Sequence, residues 1–233
     1  MDMSGPAVPS INIRPEVSML SVLKHLNYKA WFAVAEFIDN SIQSYLANED
    51  ALRAVEGPDF KLRIHIGLDA SAGRIEVSDN AAGIALADFP RAFRPAEVPP
   101  DRSGLSEFGM GMKAAACWFT NLWQVRTKAL GEPVERIVRF DISDIVSHKT
   151  ETLIVEEVPA DPTEHYTVIT LEQLGSRFPP ARTQKKLKDH LTSIYRMFLR
   201  RNDIELIWDA DGHTLAFTEV AILDAPPATN PHL

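Results

Sequence analysis

Residues 35–45 read Ala35-Glu36-Phe37-Ile38-Asp39-Asn40-Ser41-Ile42-Gln43-Ser44-Tyr45, and the fold turns on how they are placed. Around them Trp31, Val34, Ala35, Ile38, Ile42 and Tyr45 recur at three- and four-residue spacings, which predicts an amphipathic helix over 28–47. At about 100° per residue, Glu36, Asp39, Asn40 and Gln43 gather on one side, opposite Trp31, Ile38 and Tyr45. Such a stripe is ordinarily a solvated face. Here Phe32 and Phe37 narrow it, and Glu36 stands between Ala35 and Phe37 in the most apolar stretch of the chain. A carboxylate there is costly to bury without a partner, and such groups are enriched at sites that use their charge or basicity.

Downstream of this helix, residues 61–69 alternate strictly, with Leu62, Ile64, Ile66 and Leu68 on one face and Arg63 and His65 on the other. Ile75 and Val77 resume the period after Ala70-Ser71-Ala72-Gly73, so the two runs predict a half-buried β-hairpin. Strand-like runs follow at 122–128, 136–141, 153–158 and 166–171. The connections between them are too short for helical crossovers, which makes the sheet mostly antiparallel. Residues 90–108, with Pro90, Pro95, Pro99, Pro100 and Gly104, show little periodicity and read as a lid. A basic amphipathic helix over 183–199 and a short hairpin, 204–208 with 214–217, close the pattern. Residues 1–14 read as a flexible arm, 15–217 as one domain, and 218–233 as a linker toward a further domain.

Two further motifs carry chemistry. Val77-Ser78-Asp79-Asn80-Ala81-Ala82-Gly83 leaves a strand through an acid and ends on glycine, which taken alone is a common turn. Gly109-Met110-Gly111-Met112-Lys113, with Gly104 upstream, opens a helix over 109–119. Glycines there leave backbone N–H groups uncovered where the helix dipole is positive, and Lys113 adds charge, which suits a phosphate group. A close contact between helix and sheet would also call for such glycines.

In order and spacing, Glu36-x-x-Asp39-Asn40, then Asp79-x-x-x-Gly83, then a Pro-rich loop and Gly109-x-Gly111-x-Lys113 resemble the GHKL ATPases: type II topoisomerase ATPase subunits, heat-shock chaperone ATPases, MutL and the MORC proteins, with sensor histidine kinases more distant. The Glu-x-x-Asp-Asn form and Lys113 look most like the MORC and chaperone side, and the basic helix and strand at 186–208 resemble the end of a chaperone-type ATPase domain. The resemblance implies an α+β fold, a two-layer α/β sandwich with a mixed, mostly antiparallel sheet covered by helices on one face, and an ATP lid. It implies ATP and Mg²⁺ as cofactors, with Glu36 as the catalytic base orienting water and Asn40 as the metal ligand. Asp39 joins the nucleotide-binding set, Asp79 accepts the adenine amine, Gly83 lets the backbone approach the base, and Gly104, Gly109, Gly111 and Lys113 hold the phosphates. Relatives carry Gly-Thr before the late strand where this chain reads His165-Tyr166-Thr167-Val168-Ile169-Thr170. Strand alternation lets Thr167 or Thr170 stand in only if the register differs, and Thr170 is carried into the site. The helix also continues Ser41-Ile42 where an Asp-Ala pair often follows the Asn.

The function so implied is ATP hydrolysis, slow in this domain alone, coupled to lid closure and a nucleotide-dependent homodimer. A transducer-type domain would lie downstream, and a client protein or nucleic acid stays unassigned. The alternatives are a nucleotide-gated interaction module with little hydrolysis and a phosphotransfer domain of the histidine-kinase type; Asp39 beside Asn40 and the lack of an evident phosphoacceptor helix count against the last. Composition is compatible with this. With 24 basic and 32 acidic residues among 233, the net charge is −8, which argues against binding nucleic acid or a membrane surface through a bulk positive field and leaves room only for a local basic patch. Cys117 is the only cysteine, so there is no intrachain disulfide, and the cytoplasm is the expected compartment. No signal peptide or membrane span is read.

Overall fold

The computed structural model describes residues 17–94, 110–210 and 213–216. The 1–14 arm, residues 95–108 of the lid, Gly104, Gly109 and the 218–233 linker lie outside the described residues. In chain order the elements are α1 Met19–Leu23, α2 Ala30–Glu56, β1 Leu62–Asp69, β2 Arg74–Asp79, α3 Phe89–Phe93, α4 Gly111–Phe119, β3 Leu122–Lys128, β4 Val134–Asp141, α5 Ile142–His148, β5 Val155–Pro159, β6 Tyr166–Glu172, α6 Ala181–Ile194, α7 Arg196–Arg201, β7 Ile204–Ala210 and β8 His213–Ala216.

Eight strands form one sheet in the order β5-β4-β3-β6-β2-β1-β7-β8. Neighbours are antiparallel except β1 and β7, the pair whose connection is long enough to include α6 and α7. The alternation read in β1 is a burial alternation, and the register extends it across the sheet. Ile75, Leu171, Trp123 and Phe140 stand side by side on β2, β6, β3 and β4; Val77, Ile169, Val125 and Val138 form the next row, and all eight are buried. α2, α4 and α6 cover this face with Ala33, Val34, Ile38 and Ile42, with Ala115 and Ala116, and with Leu187 and Leu191. Small side chains on α4 let it lie close to α2. Trp123 stacks on Phe140 with ring centroids 3.8 Å apart.

The opposite face carries polar pairs. Arg63 on β1 meets Glu205 on β7 at 3.2 Å, and Arg126 on β3 meets Glu135 on β4 at 3.1 Å. One sheet with an apolar face under helices and a charged face toward water is the α+β, two-layer arrangement that the alternation requires.

The structure extends or divides several elements. α2 runs on to Glu56, bending at Asn48 (φ −127°, ψ 17°), where the Asn48 amide donates to the Ser44 carbonyl at 2.8 Å. The basic helix is split at Tyr195 into α6 and α7. The first residues of the lid are not a loop: Phe89–Phe93 form α3, pinned by Phe89 against Phe93 (5.0 Å) and Phe93 against Phe140 (5.9 Å). α5 has no counterpart in the sequence reading. It is capped by Asp141, whose carboxylate accepts from the Asp144 N–H at 3.1 Å, and it buries Ile142 and Ile145.

Candidate functional site

A cleft of about 380 Å³ opens between α2, the loop after β2, α3, the start of α4 and β6, a volume suited to a small organic ligand. Its floor is Asp79, the last residue of β2. The Asp79 carboxylate accepts a 2.6 Å hydrogen bond from the Ser41 hydroxyl on α2 and a 2.9 Å bond from the Ala81 N–H. Burial pushes its pKa up to about 6, against the lowering effects of Ser41, Ala81, the Thr167 N–H and His165. β2 delivers Asp79 to the helix-covered face because it shares the parity of Ile75 and Val77.

Residues around Asp79 brace it. Asn80 turns away from the cleft: its side chain accepts from the Arg63 N–H at 2.6 Å and donates to the Lys61 carbonyl at 3.1 Å, tying the loop to β1. The His165 ring, buried beneath the loop, places Nδ1 3.0 Å from the carbonyls of both Asn80 and Ala81. At Gly83, φ is +72°, and a Cβ would stand 2.1 Å from the Lys128 carbonyl oxygen at the end of β3. Glycine is required there by backbone packing as well as by conformation. Gly83→Ala is expected to cost about 2–4 kcal/mol of stability, from a strained left-handed residue and a forced separation of two backbones. Urea denaturation would show the loss, and an unchanged midpoint would mean that the loop relaxes freely.

The register places the late-strand threonines. Thr167 pairs with Asp79 across β2 and β6 and lines the cleft. Its hydroxyl is 3.2 Å from that of Thr127 on β3, which also accepts from the Ile84 N–H at 2.9 Å. Thr170 is three residues on and therefore on the other face, where it donates to Glu76 at 3.3 Å. Of the two late-strand threonines it is therefore Thr167, not Thr170, that lines the cleft, because an odd offset along a strand reverses the face.

The other end of the cleft is built by α2 and α4. Asn40 lines it, and its amide has no partner among the described residues. Gly111 and Lys113 line it too. A Cβ on Gly111 would fall 2.0 Å from Glu36 Oε2, so the carboxylate of Glu36 lies against the first turn of α4. The Glu36 pKa is raised, first by burial and then by the Asp39 charge, while a hydrogen bond from Tyr28 opposes the rise. Asp39, one turn on from Glu36, is turned toward α6: the Tyr195 hydroxyl, at the α6–α7 junction, donates to its Oδ1 at 2.7 Å. Asp39 is thus a structural tie more than a cleft residue, and burial raises its pKa as well.

Lys113 is buried, and its ammonium donates to the carbonyls of Ala92 (2.9 Å) and Arg91 (3.3 Å), which end α3. It therefore joins the cleft to the segment leading into residues 95–108. The motifs give no site role to Thr127, Tyr28 or Tyr195, nor to Arg91 and Asp88, which line the α3 side and pair at 3.1 Å, and they mark Ser41 only as a departure from the usual pattern. Ser41 sits on α2 beside Asn40, at the position where the helix departs from Asp-Ala.

Residues 28–175 match a family model described as histidine kinase-, DNA gyrase B-, and HSP90-like ATPase. Among solved structures, the chain is similar to the ATPase region of Saccharomyces cerevisiae topoisomerase II, crystallised with ICRF-187 (dexrazoxane), with a TM-score of 0.53 at 15% sequence identity. The likeness covers 79% of this chain and 48% of that one, so this chain spans about half the length of the structure it resembles. No curated protein matches the chain. Among the described residues, no helix is long and apolar enough to cross a membrane.

Proposed function

The chain belongs to the histidine kinase-, DNA gyrase B- and HSP90-like ATPase family, and from that premise we propose that it binds ATP with Mg²⁺ in the cleft between α2 and α4 and hydrolyses it. One observation carries the reading: a braced carboxylate, Asp79, stands at one end of a cleft whose other end is lined by Asn40 and the Gly111-Met112-Lys113 turn, with the Glu36 carboxylate against Gly111. Asp79 accepts from the exocyclic amine of adenine. Guanine offers a carbonyl at that position, so a carboxylate rejects it. Thr167 lies beside Asp79 to support the base.

At the phosphate end, Lys113 and the uncovered N–H groups of the Gly111 turn supply positive charge. The unpartnered Asn40 amide fits a hard cation that takes oxygen ligands, with phosphate oxygens and water completing its shell. Mg²⁺ bound there neutralises charge on the phosphates. Glu36, held against the first turn of α4, orients the attacking water and takes its proton, and its raised pKa makes it a better base near neutrality. Closure of residues 90–108, nucleotide-dependent homodimerisation, a downstream transducer domain and the extent of the ATP-binding domain, 15–217, belong to the same reading.

Titration calorimetry with ATP and GTP, with and without magnesium, beside a phosphate-release assay, tests it. ATP is expected to bind at least about tenfold more tightly than GTP, since GTP leaves Asp79 facing an acceptor. Equal affinities would remove Asp79 from base recognition. The second reading, a nucleotide-gated module with little turnover, is favoured by the Lys113 link to α3: phosphates that draw Lys113 away would free the end of α3 without any bond being cleaved.

A further inference from the structure

Residues 181–201 form α6, Tyr195 and α7 and hold seven of the chain's 24 Lys and Arg residues, Arg182, Lys185, Lys186, Lys188, Arg196, Arg200 and Arg201, against a single acid, Asp189. The chain as a whole carries −8, so this is a sharply local reversal of sign. On α6 the apolar side is already used: Leu187, Leu191 and Thr192 are buried. Arg182, Lys185 and Lys186 emerge from the opposite side at one-turn spacing and are exposed, as are Arg196, Arg200 and Arg201 on α7. Among the described residues none of Arg182, Lys185, Lys186, Arg196 and Arg201 is in an ion pair. Elsewhere the surface cations of the sheet face meet carboxylates, as Arg63, Arg126 and Arg139 do. Asp189 stands one turn after Lys185 and Lys186, so the two helices keep a clear excess of positive charge, which suits an anion from outside.

We propose that the outer face of α6 and α7 is a docking surface for the sugar-phosphate backbone of a nucleic acid. Arg182 to Lys186 span about 6 Å of α6 at about 1.5 Å per residue, room for one or two phosphates of a strand, and Arg196, Arg200 and Arg201 on α7 supply a second cluster. A membrane needs a free apolar helix face to insert, and that of α6 is committed to the core, leaving only Ile194 and Met197 exposed. A protein partner would ordinarily be anchored by aromatic side chains, and this face presents none that is exposed. Contacts of this kind position a backbone without reading sequence. The surface lies behind the cleft, because Tyr195 at the α6–α7 junction is the residue that holds Asp39. The inference rests on charge placement and stands whether or not the cleft hydrolyses ATP.

The test is fluorescence anisotropy of a labelled 20-base-pair duplex, and of a single-stranded RNA of the same length, titrated with the whole chain at 50–200 mM salt. Binding is expected to weaken steeply with salt. Lys185→Glu with Lys186→Glu is expected to weaken it at least tenfold, and Lys185→Gln with Lys186→Gln to lower the slope of log affinity against log salt by about two. Thermal midpoint and ATP affinity, read on the same variants, should not move, since neither lysine touches the core or the cleft. Duplex and RNA affinities separate the two sources of backbone, and either one supports the proposal. No binding at 50 mM salt, binding indifferent to both double variants, or tighter binding to polyglutamate or to anionic vesicles than to either nucleic acid would overturn it.

Discussion

Glu36→Ala is expected to abolish ATP turnover, by about 10²–10⁴ in the single-turnover rate constant, while leaving ATP affinity within about twofold of wild type. The asymmetry follows from position. Glu36 does not contact the floor of the cleft where a base would sit; it lies against the first turn of α4, a Cβ's distance from Gly111. Its work is on a water that attacks phosphate, which appears in the rate and not in ground-state binding. Burial and the neighbouring Asp39 charge raise its pKa, so the wild-type rate should increase with pH as Glu36 ionises. Gly111→Ala makes a useful companion, because its new methyl group would push the Glu36 carboxylate aside and should reproduce much of the loss. Turnover by Glu36→Ala at the wild-type rate would end the catalytic assignment. Tight binding by wild type with no turnover would favour the nucleotide-gated module instead.

The contrast between Glu36 and Asp39 shows where sequence reasoning stops. Helical periodicity placed both on one polar stripe, and that is where α2 carries them. What periodicity could not supply is the third dimension: Asp39 meets Tyr195, 156 residues away, while Glu36 meets α4. The strands were legible for a simple reason, since β1, β2 and β3 each bury alternate residues on one face and the period shows directly. β6 buries four successive residues, Val168 to Leu171, so alternation fades there, and with it the means to choose between Thr167 and Thr170. The antiparallel register with β2 makes that choice. Short helices failed to show for a related reason. α1 and α5 span five and seven residues, too few for a 3.6-residue period to rise above chance, although Asp141 before Ile142-x-x-Ile145 is a readable cap signal. The need for glycine at Gly83 lies partly across the sheet at Lys128, which no local motif contains.

Asp79→Asn is expected to lower ATP affinity by about 1.5–3 kcal/mol, roughly 10- to 150-fold, and to erase a pH dependence that wild type should display. The carboxylate is held above its ordinary range, at about 6, because burial disfavours its charge more than Ser41, Ala81, Thr167 and His165 favour it. An adenine amine donates to the ionised form and so favours it further. Nucleotide binding should therefore release a proton near and below pH 6, and affinity should fall about tenfold for each pH unit below that point while remaining flat above pH 7. The stability of the free protein runs the other way. A carboxyl whose folded pKa lies above its unfolded value of 3.8 contributes most stability below that value, and the contribution is lost as pH rises through about 6. Mild acidification should thus relieve the Asp79 burial penalty in the empty cleft and weaken the nucleotide complex in the same window. Calorimetry of ATP binding at pH 5, 6, 7 and 8, in buffers of differing ionisation enthalpy, counts the released proton directly. Affinity that is level from pH 5 to 8 in wild type, or a pH dependence that survives Asp79→Asn, would mean that another group senses the proton and that Asp79 does not meet the base.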